Sequence, residues 1–167
     1  MNGHRNSEDS TMIGNAASPR LEYLFELRVS IGPTLEIAST PSGLRRTVPI
    51  LGGTFSGDGL TGRILPGGAD WQLVAPDGCT WVDARYVLET DDGVRIEVQN
   101  QGLRYAPSEV LKRLESGEPV SPDAYYFRTT PRFFPPPGRY QPLGRSVFVG
   151  SGERYADLVV VRVWRVH

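Results

Sequence analysis

From Leu21 to Ile31, apolar and polar residues take turns along the chain. Leu21, Tyr23, Phe25, Leu27, Val29 and Ile31 share one parity, and Glu22, Glu26, Arg28 and Ser30 share the other, with Leu24 as the exception. Successive side chains of a strand point to opposite faces, so this pattern predicts a long, half-buried strand. Most of the remaining chain reads the same way, as apolar runs punctuated by Gly, Pro and Asp. The "TPSG" segment (40–43) carries turn chemistry. "CTWVDARYVLETDDGVRIEVQNQG" (79–102) is the clearest hairpin, because Asp-Gly between two β-rich runs is a strong turn signal. "DAYYFRTTPRFF" (123–134) predicts another strand, and "SVFVGSGERYADLVVVRVWRV" (146–166) a final pair. The glycine-rich stretch 52–68 is unsuited to a helix and marks bulges or corners where strands curl. The one helical candidate is "APSEVLKRLESGE" (106–118), with Ser108 as its cap, Gly117 as its stop and Val110, Leu111 and Leu114 as its apolar face.

Roughly eight to ten strands with turns every 8–12 residues predict an all-β fold. Long strands that carry polar aromatics and charges on their second parity favour a single closed antiparallel β-barrel with a partly polar interior and one short helix. Residues 1–19 are polar and aperiodic and read as a flexible N-terminal extension; residues 20–167 form the barrel domain.

Composition narrows the function classes. A chain of 167 residues is long enough for one self-sufficient core. The net charge of −1 offers no basic footprint for nucleic acid and no polybasic membrane patch. No apolar run approaches the length of a membrane span or of a signal-peptide centre, so the expected location is cytoplasmic. Cys79 is the lone cysteine, so no internal disulfide is expected. The two histidines, His4 and His167, sit at the chain ends, which argues against an activated Cys nucleophile and against a His-based metal site. "LGGTFSGDGLTG" lacks the Gly-Lys-Ser/Thr ending of a phosphate loop and the βαβ context of a dinucleotide fingerprint. No cofactor is expected.

Four constellations carry candidate chemistry. In "GGADW", Asp70 reads as a general acid/base at a pocket mouth beside Trp71, an apolar wall able to raise its pKa; the plainer reading is an Asx-turn beside a core Trp. In "WVDARY", Trp81, Asp83 and Arg85 share one face and Val82, Ala84 and Tyr86 the other. If the first face is interior, Arg85 holds a carboxylate or enolate oxygen and Asp83, in contact with the ligand, can move a proton; if the second is, only Tyr86 is available. Asn100 follows Ile96 and Val98 on one parity and reads as a ligand-orienting amide or a turn cap. In "YYFRTTPRF", Tyr126 and Arg128 share a face, either as a pocket for an anionic or phenolic ligand or as a surface cation–π stack.

As an ordered set, "PILGGTFSGDGLTGRILPGGADW" (49–71), "DARYVLETDDGVRIEVQNQG" (83–102), "YYFRTTPRF" (125–133) and "VFVGSGER" (147–154) resemble the family known as domain of unknown function 3237. The resemblance spans about residue 20 to 166. It implies a small β-barrel similar in form to calycin-like or allene-oxide-cyclase-like barrels, without implying an established activity. The loop "FFPPPGRYQPLGR" (133–145) is richer in proline than the resemblance leads one to expect.

These readings converge on a cofactor-independent lyase, isomerase or cyclase that moves protons on a small hydrophobic oxygenated metabolite inside the barrel. Asp70, Arg85 and Tyr126 are the expected catalytic residues, and Trp71, Asp83, Tyr86, Asn100 and Arg128 the expected ligand contacts. The alternatives are a non-catalytic binding barrel and a homo-oligomeric assembly module built on the Tyr/Arg-rich strands.

Overall fold

The first strand keeps its alternation only after a bulge. In the computed structural model, which describes residues 18–167, β1 (Leu21–Ile31) buries Phe25, Leu27, Val29 and Ile31, while its register against the last strand shifts between Tyr23 and Phe25. The shift turns Leu21 and Tyr23 outward and leaves Leu24 half-buried, which accounts for the one break in the pattern. Nearly all of the expected extension at residues 1–19 lies outside the described residues.

Nine further strands follow: β2 (Leu35–Thr40), β3 (Gly43–Gly57), β4 (Leu60–Ile64), β5 (Gly68–Val74), β6 (Cys79–Thr90), β7 (Arg95–Tyr105), β8 (Tyr126–Phe134), β9 (Val147–Arg154) and β10 (Leu158–Val166). All pairings are antiparallel, and β1 pairs with both β10 and β3, so the sheet closes on itself as an eight-stranded barrel. The count is eight because β4 and β5 share one place between β3 and β6, and β2 stands outside the ring on β3 alone.

The long strand β3 makes this closure. Its first half pairs with β2 and β5 and its second half with β1 and β4. Between the halves lie Gly52 and Gly53, with φ of +133° and +138°. A Cβ on Gly53 would stand 2.0 Å from the Arg28 carbonyl oxygen, so a glycine is what lets β1 approach.

One end of the barrel is packed solid. Phe25, Phe55, Phe133 and Phe148 meet edge-to-face there with ring centroids 5.0–6.2 Å apart. Leu143, on the short 3₁₀ turn Gln141–Arg145 in the proline-rich loop, adds to the same cluster. The other end is covered by α1 (Ser108–Glu115), whose Leu114 packs with Val82, Ala106, Val120, Tyr125 and Phe127. Gly117 at φ +77° follows the helix, but Ser108 is its first residue and not its cap. Pro107 occupies the cap position and makes no side-chain hydrogen bond, consistent with a helix held by packing of its apolar face. No helix of the described residues is long and apolar enough to cross a membrane.

Candidate active site inside the barrel

Between the two apolar clusters, the inward faces of the strands turn polar. In β5, Asp70 and Gln72 point inward and Trp71 points out. In β6 the inward set is Val82, Ala84 and Tyr86, which settles the choice of faces. In β7 the inward parity runs Ile96, Val98, Asn100, Gly102, Arg104, and in β8 it includes Phe127 and Thr129. With Arg154 from β9, the β5, β6 and β8 groups and, from β7, Asn100 and Arg104 line a cavity of about 50 Å³ whose remaining wall is aliphatic, from Val29, Ile31, Val48, Ile50, Val159 and Val161. At about 10–15 Å³ per water centre, this is room for a few waters or one slim ligand group.

Asp70 is the hub. Its Oδ1 accepts from the backbone N–H of Asp83 at 3.0 Å, and its Oδ2 accepts from Gln72 Nε2 at 2.5 Å. Gln72 Oε1 accepts in turn from Arg46 Nε at 2.8 Å, and Arg46 reaches Glu115 of α1 at 3.5 Å. Burial nevertheless wins: it raises the Asp70 carboxyl above its ordinary range against the opposing hydrogen bonds from Gln72 and Asp83 and the charge of Arg104. Tyr86 is pushed up as well, by burial and then by the neighbouring Asp70 charge against the opposing influence of the adjacent Asn100 amide, so its phenol stays protonated as a donor. Arg104 is lowered to about 10 by burial and by the charges of Arg46 and Arg154, and so remains a cation at neutral pH.

Several of these groups have no partner. Among the described residues, seven buried side-chain polar atoms lack a hydrogen bond, and four of them line this cavity: Tyr86 Oη, Asn100 Oδ1, Arg104 Nε and Thr129 Oγ1. A buried polar atom left unpaired costs about 1–3 kcal/mol, so natural cores rarely gather them. Gathered around one cavity, they are donors and acceptors awaiting something that enters it.

Of the eight residues expected from the sequence to form a site, Asp70, Tyr86 and Asn100 line the cavity. The other five require correction. Trp71 lies on the outer surface, 55% exposed, where with Trp81 and Asp83 it borders an open outer groove and not the interior cavity. Asp83 and Arg85 also face outward: the Asp83 carboxylate accepts from Gln99 and Gln101 and lies 3.9 Å from Arg85, whose side chain is 60% exposed. Tyr126 and Arg128 belong to the outer parity of β8, where Arg128 stacks over the Tyr126 ring at 5.4 Å as a surface cation–π pair. The physical reason is common to all five: the inward parity is taken by Gln72, Val82, Ala84, Phe127 and Thr129. Arg46, Gln72, Arg104, Thr129 and Arg154 were missed. Arg104 shares parity with Ile96, Val98 and Asn100, and Arg46 with Val48 and Ile50, so extending each strand's alternation to its end finds them.

Comparison with known proteins gives the same architecture. A UPF0311 protein of Rhodopseudomonas palustris is 44% identical over 151 residues, covering 89% of this chain and 99% of the relative. The crystal structure of a conserved protein of unknown function from that organism superposes with a TM-score of 0.86 at 41% identity, covering 91% of this chain and 99% of the other. A β-barrel-like protein of Acinetobacter baumannii matches with a TM-score of 0.81 at 40% identity over 92% and 99% of the two chains. More distantly, a hydroalkoxylation enzyme of Penicillium herquei is 28% identical over 89 residues, 53% of this chain and 59% of that one. An enzyme structure from the same fungus shares the fold, with a TM-score of 0.69 at 19% identity over 93% and 100% of the chains. The sequence profile of the family described as "Protein of unknown function (DUF3237)" matches residues 19–166, the whole barrel, and the chain belongs to that family.

Proposed function

We propose that the barrel is a catalyst of the lyase, isomerase or cyclase type, moving a proton with its own side chains on a small, largely apolar, oxygenated ligand. The observation that carries this reading is the placement of Asp70. Its carboxyl, held above the ordinary range by burial, shares one cavity with the four unpartnered polar atoms. A carboxyl shifted toward neutrality is suited to giving a proton and taking one back. Tyr86 donates to a ligand oxygen, and the Asn100 carbonyl accepts from a ligand hydroxyl. The aliphatic wall holds the carbon skeleton and keeps water away from the reacting atoms.

The partial likeness to a hydroalkoxylation enzyme supports this class of chemistry. Adding an alcohol O–H across a carbon–carbon double bond is redox-neutral: carbon gains a proton and oxygen loses one. Asp70 balances both by protonating carbon as the acid and recovering the proton from oxygen as the carboxylate. When both groups sit on one molecule, the product is a ring of unchanged mass.

The test is incubation of the wild-type protein and Asp70→Asn with ortho-allylated phenols, whose ring closure creates a stereocentre, followed by chiral chromatography with mass detection. The expected result is one enantiomer of a cyclic ether with wild type and none with Asp70→Asn, at undiminished substrate affinity. Equal turnover by the two proteins overturns the role of Asp70. Saturable binding with no product from wild type identifies a carrier instead.

A further inference from the structure

Beside the interior cavity lies a second, wider space of about 340 Å³, bounded by Thr34 and Glu36 at β2, by Leu44 and Arg46 of β3 and by Leu114 and Glu115 of α1. Arg104 and Arg154 line both spaces and therefore form the threshold between them. Each carboxylate near this threshold is already engaged or turned to water. Glu115 pairs with Arg46, Asp70 is held by Gln72 and the Asp83 N–H, and Glu36 and Asp157, the latter close enough to act on Arg154, are exposed. Among the described residues neither Arg104 nor Arg154 forms an ion pair; Arg154 donates to the Ala156 carbonyl at 3.1 Å, and the buried Arg104 Nε has no partner.

Two guanidiniums without an ion pair at the neck of a cavity, offset only by the charges of Asp70 and Asp157 nearby, leave positive charge in a poorly hydrated place. Burying such a charge is costly unless an anion completes it. Guanidinium forks match the two oxygens of a carboxylate, and Arg104 lies over the Phe127 ring, its Cζ 5.9 Å from the centroid, a contact that limits its freedom before a ligand arrives. We propose that the natural ligand is an organic acid whose carboxylate is received at the threshold by Arg104 and Arg154. Its slim reacting portion passes into the interior cavity toward Asp70, and its bulk rests in the outer space under α1. The inference deepens the functional reading above and rests on it, since it requires the interior to be a ligand site.

The test uses two isosteric probes, 3-phenylpropanoate and the neutral 3-phenylpropanamide, titrated into the ¹⁵N-labelled full chain and followed by the backbone amides of Tyr86, Asn100, Arg104 and Arg154. The expected result is that the acid binds about tenfold or more tighter than the amide. Arg154→Gln, chosen because Arg154 is only partly buried, removes that preference by weakening the acid alone. Arg104→Gln is made in parallel and used only if its spectrum remains that of the folded protein. If the amide perturbs the cavity as strongly as the acid, or if Arg154→Gln leaves the acid's affinity unchanged, the carboxylate inference is overturned and the role of Asp70 stands. If neither probe perturbs the cavity residues, both readings are overturned.

Discussion

Gln72 is fixed to Asp70 by a 2.5 Å hydrogen bond from its Nε2 to the carboxylate Oδ2, and the same amide presents its oxygen to Arg46. The two residues stand two apart on the inward face of β5, and Gln72 is only 6% exposed. Gln72→Leu leaves both Arg46 Nε and Asp70 Oδ2 without this partner. We expect a loss of about 1–3 kcal/mol in urea denaturation with an unchanged m-value. The bond from Gln72 is the largest influence holding the Asp70 carboxyl down, so the variant also raises that carboxyl further.

Asp70 makes stability depend on pH in a definite direction. Its folded pKa lies above the unfolded value because of burial. Between those two values the folded state binds more protons than the unfolded one, so the contribution of Asp70 to stability is greatest below about pH 4 and is lost as pH rises through the folded pKa. Asp70→Asn has no such group. Its melting temperature, followed from acid to neutral pH, should gain steadily on that of wild type; a wild type that gains instead contradicts the raised pKa.

Tyr86→Phe separates a functional hydroxyl from a structural one. The Tyr86 Oη is buried beside the Asn100 side chain without a hydrogen bond of ordinary geometry, so removing it takes away a poorly satisfied polar atom. The variant should be as stable as wild type or more stable, by up to about 1–3 kcal/mol, while turnover or ligand affinity falls. A loss of stability of that size means the hydroxyl holds the fold and not a ligand.

Gly53→Ala tests the seam. The residue has φ +138°, and the added Cβ would meet the Arg28 carbonyl oxygen at 2.0 Å. Backbone strain and overpacking each cost about 1–3 kcal/mol, and neither can relax without parting β1 from β3. The expected outcome is a loss near the sum of the two by thermal or urea denaturation, with faster amide exchange along both strands.

Closure of the sheet also explains how far the sequence could be read. The alternation of β8 is visible residue by residue, and the structure repeats it without a break from Tyr126 to Phe134. The hairpin at "TDDG" followed from local turn chemistry, and the strand content from alternation between such turns. What alternation does not carry is its sign. Tyr126 with Arg128, and Trp81 with Asp83 and Arg85, suit a wet outer surface as well as a polar pocket, because their apolar stems and charged tips satisfy both. The sign is set by long-range pairing of β1 with β3 and β10, which no local stretch encodes. The reading of Asp70 does not depend on which way β6 turns, but the wall assigned to it does not hold: Trp71 stands on the opposite face of β5 and is exposed. Arg104 was overlooked because it lies near the end of β7, in the run "NQGLRY", where a charged residue reads as an exit into solvent.

The proposed chemistry requires Asp70 to be a carboxyl that can hold a proton inside the barrel. The direct measurement is a ¹³C titration of the side-chain carboxyl carbons, with the Asp70 resonance assigned by its disappearance in Asp70→Asn. The expected midpoint lies above the ordinary Asp value of about 4 and moves higher in Gln72→Leu. A midpoint at or below that value would mean that the carboxylate is simply a structural acceptor for Gln72 and the Asp83 N–H, and would contradict its role as the proton carrier.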